Sequence, residues 1–247
     1  MFNQKKINIK YKMIAGIFIA LIILTGLFFL YVSDYYSAVE ESITESSRKG
    51  VQVSATDDML IADPGNAKKA LIFYPGGKVE YKGYGPLMTE IAKEGILCAV
   101  PKMPFHLAVF DSNKAEEIIA DYPNIEEWYI GGHSLGGSMA AGYASKNSEK
   151  LEGLILLASY SPSDISTEEL KVLSIYGDRD QILNLEAYEK NKENLPEDFT
   201  EIVLKGANHA GFGNYGPQSG DGKAEISSKE QQISAGQSIS DFILETK

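Results

Sequence analysis

The chain has 247 residues, 44% of them apolar, which is enough for one domain with a sizeable core but not for two once a membrane segment is set aside. Its formal net charge is -11, and four of its 23 basic residues (Lys5, Lys6, Lys10 and Lys12) precede the first acid, Asp34, so the remainder is more acidic still. Such a surface repels phosphate backbones and argues against nucleic acid as a partner. The single cysteine, Cys98, lies in the apolar run GILCAVP and reads as a small buried hydrophobe with no partner for an internal disulfide.

The first element is membrane-like. Residues 13–32, MIAGIFIALIILTGLFFLYV, carry no charge, and twenty such residues in a helix span a hydrocarbon core of about 30 Å. Lysines precede the run while Asp34, Glu40 and Glu41 follow it, so the positive-inside rule places the N-terminus in the cytoplasm and the rest outside. A cleaved signal peptide is the alternative, but its apolar core is about 7–15 residues and ends at a small-residue cleavage site. This run is longer and no A-x-A follows. The expected organisation is therefore a cytoplasmic basic tail (1–12), a single-pass signal anchor (13–32), a polar stalk rich in Ser and Glu (33–50) and an extracytoplasmic domain (51–247).

Within that domain, residues 51–64 read as an antiparallel edge hairpin. Strands are then expected at 69–75, 95–101, 127–132, 151–159, 170–177 and 199–206, alternating with helices at 84–94, 113–121, 135–147, 184–194 and 227–245. The strand runs are nearly continuous in apolar residues, as befits strands covered on both faces, and the βα rhythm implies a mostly parallel sheet flanked by helices.

At the end of the 127–132 strand the chain reads IGGHSLGG and passes into an Ala-rich helix. A serine on a tight strand-to-helix turn needs neighbours without side chains two residues to either side, and Gly132 and Gly136 supply them around Ser134. A serine hydroxyl is a poor nucleophile without a base, and the base needs a third group to fix its tautomer. Of three histidines, His133 adjoins the serine and reads as packing beneath the turn, and His106 sits in PKMPFHLAVF, lining a pocket or facing solvent. His209, in the glycine-rich loop GANHAGF after the last strand, is the candidate base. The acid is Asp178 or Asp180 in YGDRD, one doing chemistry and the other shaping the turn.

The order Ser134, Asp, His209 resembles that of the α/β-hydrolase superfamily, in particular its compact members similar to dienelactone hydrolases and small esterases. The resemblance covers about residues 51–247 and rests on GGHSLGG, YGDRD, GANHAGF and FYPGGKV. It implies a minimal α/β-hydrolase fold and, through the Gly-x-x-Asp spacing, Asp180 as the catalytic acid. It also implies an oxyanion hole from the N–H groups of Leu135 and Gly77, with Lys78 as second choice for the latter. Tyr74-Pro75 stands where relatives more often carry a histidine.

Only YSPSDISTEE links LILLAS to LKVLSIYG, which leaves no room for a cap, so an open site is expected, with Tyr81, Tyr84, His106 and Phe212 as candidate pocket residues. No cofactor and no metal is expected, because GNYGPQSGDGKAE lacks calcium-loop spacing. The expected activity is hydrolysis of a small-molecule or lipid carboxylic ester by a membrane-anchored serine esterase. Acyl transfer, thioester or amide cleavage on the same residues, and a binding module that has lost activity, are the rival readings.

Overall fold

The computed structural model describes residues 9–39 and 50–245. Positions 1–8 of the expected tail and 40–49 of the expected stalk lie outside the described residues. The chain forms two compact units, residues 1–35 and 36–247. The first contains one helix, α1 (Ile9–Ser33). The stretch Lys10–Ser33 contains an 18-residue window of mean hydropathy 2.8, no residue of which is buried. At 1.5 Å per residue that stretch is about 36 Å long, sufficient in length and composition to cross a bilayer.

The second unit is an eight-stranded sheet with helices on both faces. In chain order its elements are β1 (Gln52–Ala55), β2 (Met59–Asp63), β3 (Lys69–Tyr74), α2 (Gly85–Ala92), β4 (Ile96–Pro101), α3 (Lys114–Asp121), β5 (Glu127–His133), α4 (Leu135–Ala144), β6 (Gly153–Leu157), β7 (Lys171–Gly177), α5 (Leu185–Asn191), β8 (Thr200–Leu204) and α6 (Ser228–Glu245). The strand order is β1-β2-β4-β3-β5-β6-β7-β8. β1 pairs antiparallel with β2 and β2 antiparallel with β4, while all later pairings are parallel.

The period of two along each strand sorts side chains between two cores. Leu71 and Phe73 enter one, with Leu87, Met88 and Ile91 of α2 and Ile239 and Ile243 of α6. Ala70, Ile72 and Tyr74 enter the other, with Ala115 and Ile118 of α3 and Ala140 and Ala141 of α4. Each large apolar side chain so buried contributes about 1.5–3 kcal/mol, which is why the central strands β3, β4, β5 and β6 are almost wholly apolar in their interiors while the edge strands β1 and β8 carry polar residues.

β3 pairs with β4 on one side and β5 on the other, so the chain changes direction across the sheet at β3. The crevice beyond the carboxyl ends of strands at such a switch point is where open α/β sheets bind ligands. Here it lies between the turn after β3 and the turn after β5. No helix or strand occupies the described residues between β6 and β7, so no cap covers it.

Strands and helices agree with the sequence expectation within a few residues. β6 is shorter than expected because Ala158 turns left-handed, φ 46°, and ends it. The second unit also begins earlier than the expected boundary at Val51: residues 36–39 are hydrogen-bonded to it, through pairings that composition does not reveal.

Candidate active site

Ser134 sits between β5 and α4 at φ 52°, ψ -124°, a left-handed conformation that costs a non-glycine residue about 1–3 kcal/mol. Its surroundings compensate. The Ser134 N–H donates to Leu157 O at 2.9 Å, and its carbonyl accepts from Ser159 Oγ at 2.7 Å. The glycines around it are sterically required. A Cβ on Gly132 would stand 2.5 Å from the Gly136 carbonyl carbon, and one on Gly136 only 2.3 Å from the carbonyl oxygens of Tyr74 and Pro75. Because those contacts are backbone, no rotamer change relieves them. Gly137 is similarly closed, by Ser159, whose role in holding the elbow was not visible in the sequence.

Asp180, in the loop after β7, and His209, in the loop after β8, form a buried pair with Nδ1 and Oδ2 2.8 Å apart. A carboxylate only accepts, so the contact places the imidazole proton on Nδ1 and leaves Nε2 with a free lone pair. The other carboxylate oxygen, Oδ1, accepts from the Ile182 and Leu183 N–H groups, both at 2.8 Å. Asp178 does different work: its Oδ1 accepts from the Gly206 N–H at 2.6 Å and ties the end of β7 to the turn after β8.

His133 packs against His209 with ring centroids 4.4 Å apart, which places the His209 ring beside the elbow. His209 Nε2 is buried and makes no hydrogen bond, to Ser134 or to any other described residue. In free enzymes such contacts are often long and close only when substrate binds.

Across the crevice, the turn after β3 presents Gly77 against Leu135: a Cβ on Gly77 would stand 3.1 Å from Leu135 Cδ2. The flanking amides are engaged. Gly76 N–H donates to the Tyr84 hydroxyl at 2.9 Å, and Lys78 N–H donates to His106 O at 2.8 Å. Among the described residues the Gly77 N–H has no partner, whereas Lys78, the second choice, is already committed. Leu135 opens α4, where the first N–H groups have no intrahelical acceptor and the helix dipole favours negative charge. Tyr74 points away from this turn; its hydroxyl donates to Ser112 O and accepts from the Ala115 N–H, both at 2.9 Å.

Three of the four expected pocket residues are buried supports instead. Tyr81 is buried and its hydroxyl donates to Thr56 O in the β1–β2 hairpin. Tyr84 is fully buried, its hydroxyl also touching Nδ1 of His133 at 2.9 Å, and burial pushes its pKa up. Phe212 is fully buried beneath His133, with centroids 5.8 Å apart. Their aromatic bulk is more stabilising in the core than on a rim, a preference that loop position alone concealed. His106 does flank the oxyanion turn, through its carbonyl, and partial burial lowers its pKa. His133 supports the turn from below, as the sequence suggested. Burial first, and the neighbouring His209 second, hold its pKa well below the usual histidine range.

One further residue completes the base side. Asp221 Oδ2 accepts from the Ala210 N–H at 2.9 Å, and its Oδ1 accepts from the Gly222 N–H at 2.7 Å, with His209 N–H at 3.3 Å and Gln181 N–H at 3.4 Å. It fastens the base loop to the acid loop. In the sequence it was one acid in a glycine-rich stretch, with only calcium spacing to test it against.

The fold is shared widely. Est1E from Butyrivibrio proteoclasticus superposes with a TM-score of 0.58 at 12% identity, covering 80% of this chain and 99% of that one. A dienelactone hydrolase from Anabaena variabilis gives 0.58 at 13% identity, with 80% and 99% covered. A thermostable esterase from Pseudomonas putida gives 0.57 at 15% identity, with 82% and 87% covered. At such identities the likeness establishes architecture only. No curated protein matches the chain in sequence. The model of the alpha/beta hydrolase family matches residues 70–233, a span that runs from β3 through the elbow and both loops into α6, and the chain belongs to that family.

Proposed function

We propose that the protein is a serine hydrolase that cleaves carboxylic esters through an acyl-enzyme, with Ser134 as nucleophile, His209 as base and Asp180 as the group that orients it. The observation that carries this reading is the buried 2.8 Å contact between His209 Nδ1 and Asp180 Oδ2, with the His209 ring packed on His133, the neighbour of the strained Ser134. Ser134 Oγ attacks the ester carbonyl while His209 Nε2 takes its proton. The imidazolium, stabilised by Asp180, then returns that proton to the departing alcohol, and water repeats the sequence on the acyl group. Negative charge on the carbonyl oxygen falls to the N–H groups of Leu135 and Gly77, each such donor contributing about 3–4 kcal/mol. Structural relatives that are esterases and a dienelactone hydrolase support an ester as substrate. The lack of any helix or strand among the described residues between β6 and β7 suits a small-molecule or lipid ester.

The length and hydropathy of α1 support a single-pass anchor, with the N-terminus in the cytoplasm and the catalytic domain outside. Full-length protein is expected to fractionate with membranes and resist carbonate extraction. A mature form starting beyond α1 would show a cleaved signal sequence instead.

The test of activity is turnover of p-nitrophenyl esters of increasing chain length by the full chain in detergent, beside Ser134→Ala. The mutant is expected to lose at least about 1000-fold in kcat. Equal turnover by both would remove the serine from the mechanism.

A further inference from the structure

Residues 36–39 lie just beyond α1, in the stretch that reads from sequence as the start of a stalk, yet they are bonded to both sides of the candidate site. Tyr36 forms a parallel bridge with Val79: its N–H donates to Lys78 O at 2.7 Å, and its carbonyl accepts the Glu80 N–H at 2.9 Å. The Ala38 N–H donates to the Glu80 carboxylate at 2.9 Å, and the Val39 N–H donates to Asn214 O at 2.9 Å. The Tyr36 hydroxyl accepts from the Ser219 N–H at 3.4 Å, and its ring packs 5.7 Å from that of Tyr215. Lys78–Glu80 directly follow Gly77. Asn214–Ser219 belong to the loop that runs from His209 to Asp221. One short strap therefore joins the oxyanion side to the base side.

The oxyanion turn needs such a hold. Lys78 is a left-handed non-glycine residue, φ 60°, so the peptides around it are under strain. Its N–H is fixed by His106 and the Gly76 N–H by Tyr84. Tyr36 pins the carbonyl of Lys78 and the amide of Glu80. An N–H donor stabilises a developing oxyanion only when it is already aimed, and a misplacement of about 1 Å costs about 100-fold in rate.

We propose that residues 36–39 are a positioning element of the active site, with Tyr36 as the residue that fixes the turn bearing Gly77 relative to the loop bearing His209. The catalytic meaning of this strap rests on the ester-hydrolase reading, whereas its mechanical hold on the two loops does not.

The experiment uses the full chain in detergent with Tyr36→Ala and Tyr36→Phe, followed by hydrogen exchange at the Glu80 and Ser219 amides and by kcat and KM on a short p-nitrophenyl ester. Tyr36→Ala is expected to raise exchange at both amides about tenfold or more. It should also lower kcat between about 10- and 100-fold with KM within about twofold. Tyr36→Phe keeps the ring against Tyr215 and loses only the Ser219 contact, so exchange should rise at Ser219 alone and kcat should return to within about threefold of the parent. Parental exchange in Tyr36→Ala overturns the proposal, and so does faster exchange with unchanged kcat. If the parent chain turns over no ester, the hydrolase reading falls, and exchange alone then upholds or overturns the hold. Should Tyr36→Ala not fold, Ala38→Pro, which deletes one donor to Glu80, is expected to move exchange and kcat in the same direction by a smaller factor.

Discussion

The elbow and the loops around His209 solve the same problem with a different balance of means. Around Ser134 the backbone is held by absence: Gly132, Gly136 and Gly137 let strand, turn and helix close to distances at which any side chain would overlap. Around His209 glycine close approach is joined by polar clamps: a Cβ on Gly222 would stand 1.8 Å from Arg179 O, while Asp178 and Asp221 each hold backbone N–H groups of a different segment and Gln231 bonds Asn208 through both its amide atoms, at 2.7 and 3.1 Å. Steric absence is local and all-or-none. Carboxylate clamping is long-range and graded, because each bond adds about 1.5–3 kcal/mol and water replaces part of what is lost.

The largest effect separates chemistry from both kinds of support. Asp180→Asn is expected to lower kcat by about 10⁴ with little change in KM, because the amide no longer holds the proton on Nδ1 of His209. Asp178→Asn should cost only a few-fold by comparison; steady-state kinetics on both variants check the pair, and the reverse ranking would move the catalytic role to Asp178. The elbow comes next. Gly136→Ala drives a Cβ into two backbone oxygens and should destabilise the fold by more than about 3 kcal/mol, read by urea denaturation, with activity lost alongside. The base loop should yield more gently: Asp221→Asn keeps one acceptor oxygen, so a kcat about tenfold lower and a loss of about 1–2 kcal/mol are expected. If Asp221→Asn proved as damaging as Gly136→Ala, the contrast between the two regions would collapse.

A pH series sharpens the picture from beneath the elbow. His133 is enclosed by the Tyr84 hydroxyl and the rings of His209, Phe212 and Tyr215, and it stays neutral well below the pH at which the unfolded chain binds its proton. The unfolded state therefore binds more protons below about 6.5, and stability should fall as pH drops through that value toward the lowered folded pKa. His133→Gln should flatten this slope in thermal melts between pH 7 and 5.5. The smallest expected effect has the opposite sign. A Cβ on Gly142, inside α4, meets nothing closer than 3.9 Å, so Gly142→Ala should stabilise the protein by about 0.5–1 kcal/mol.

The same contrast explains what could be read from the chain. Apolar runs and glycine spacing are local, so the strands, the helices and the elbow were accessible from sequence, whereas the residues left Asp178 and Asp180 open and only the family resemblance selected Asp180. Asp221 and Ser159 act on segments distant in the chain through ordinary side chains, and neither has a local signature. Tyr84 and Phe212 fall in loops by position but are buried, because other elements fold over them. Tyr36–Val39 looks like a linker in composition and is pinned mainly through its backbone to residues more than forty positions away.

The central claim is that Ser134 is a nucleophile activated by His209. Intact-mass analysis of the full chain after exposure to a fluorophosphonate tests it most directly, with Ser134→Ala and His209→Ala alongside. One covalent adduct on Ser134 in the parent, none in Ser134→Ala and strongly slowed labelling in His209→Ala is the expected result. No adduct on the parent, or labelling indifferent to both substitutions, would contradict the account.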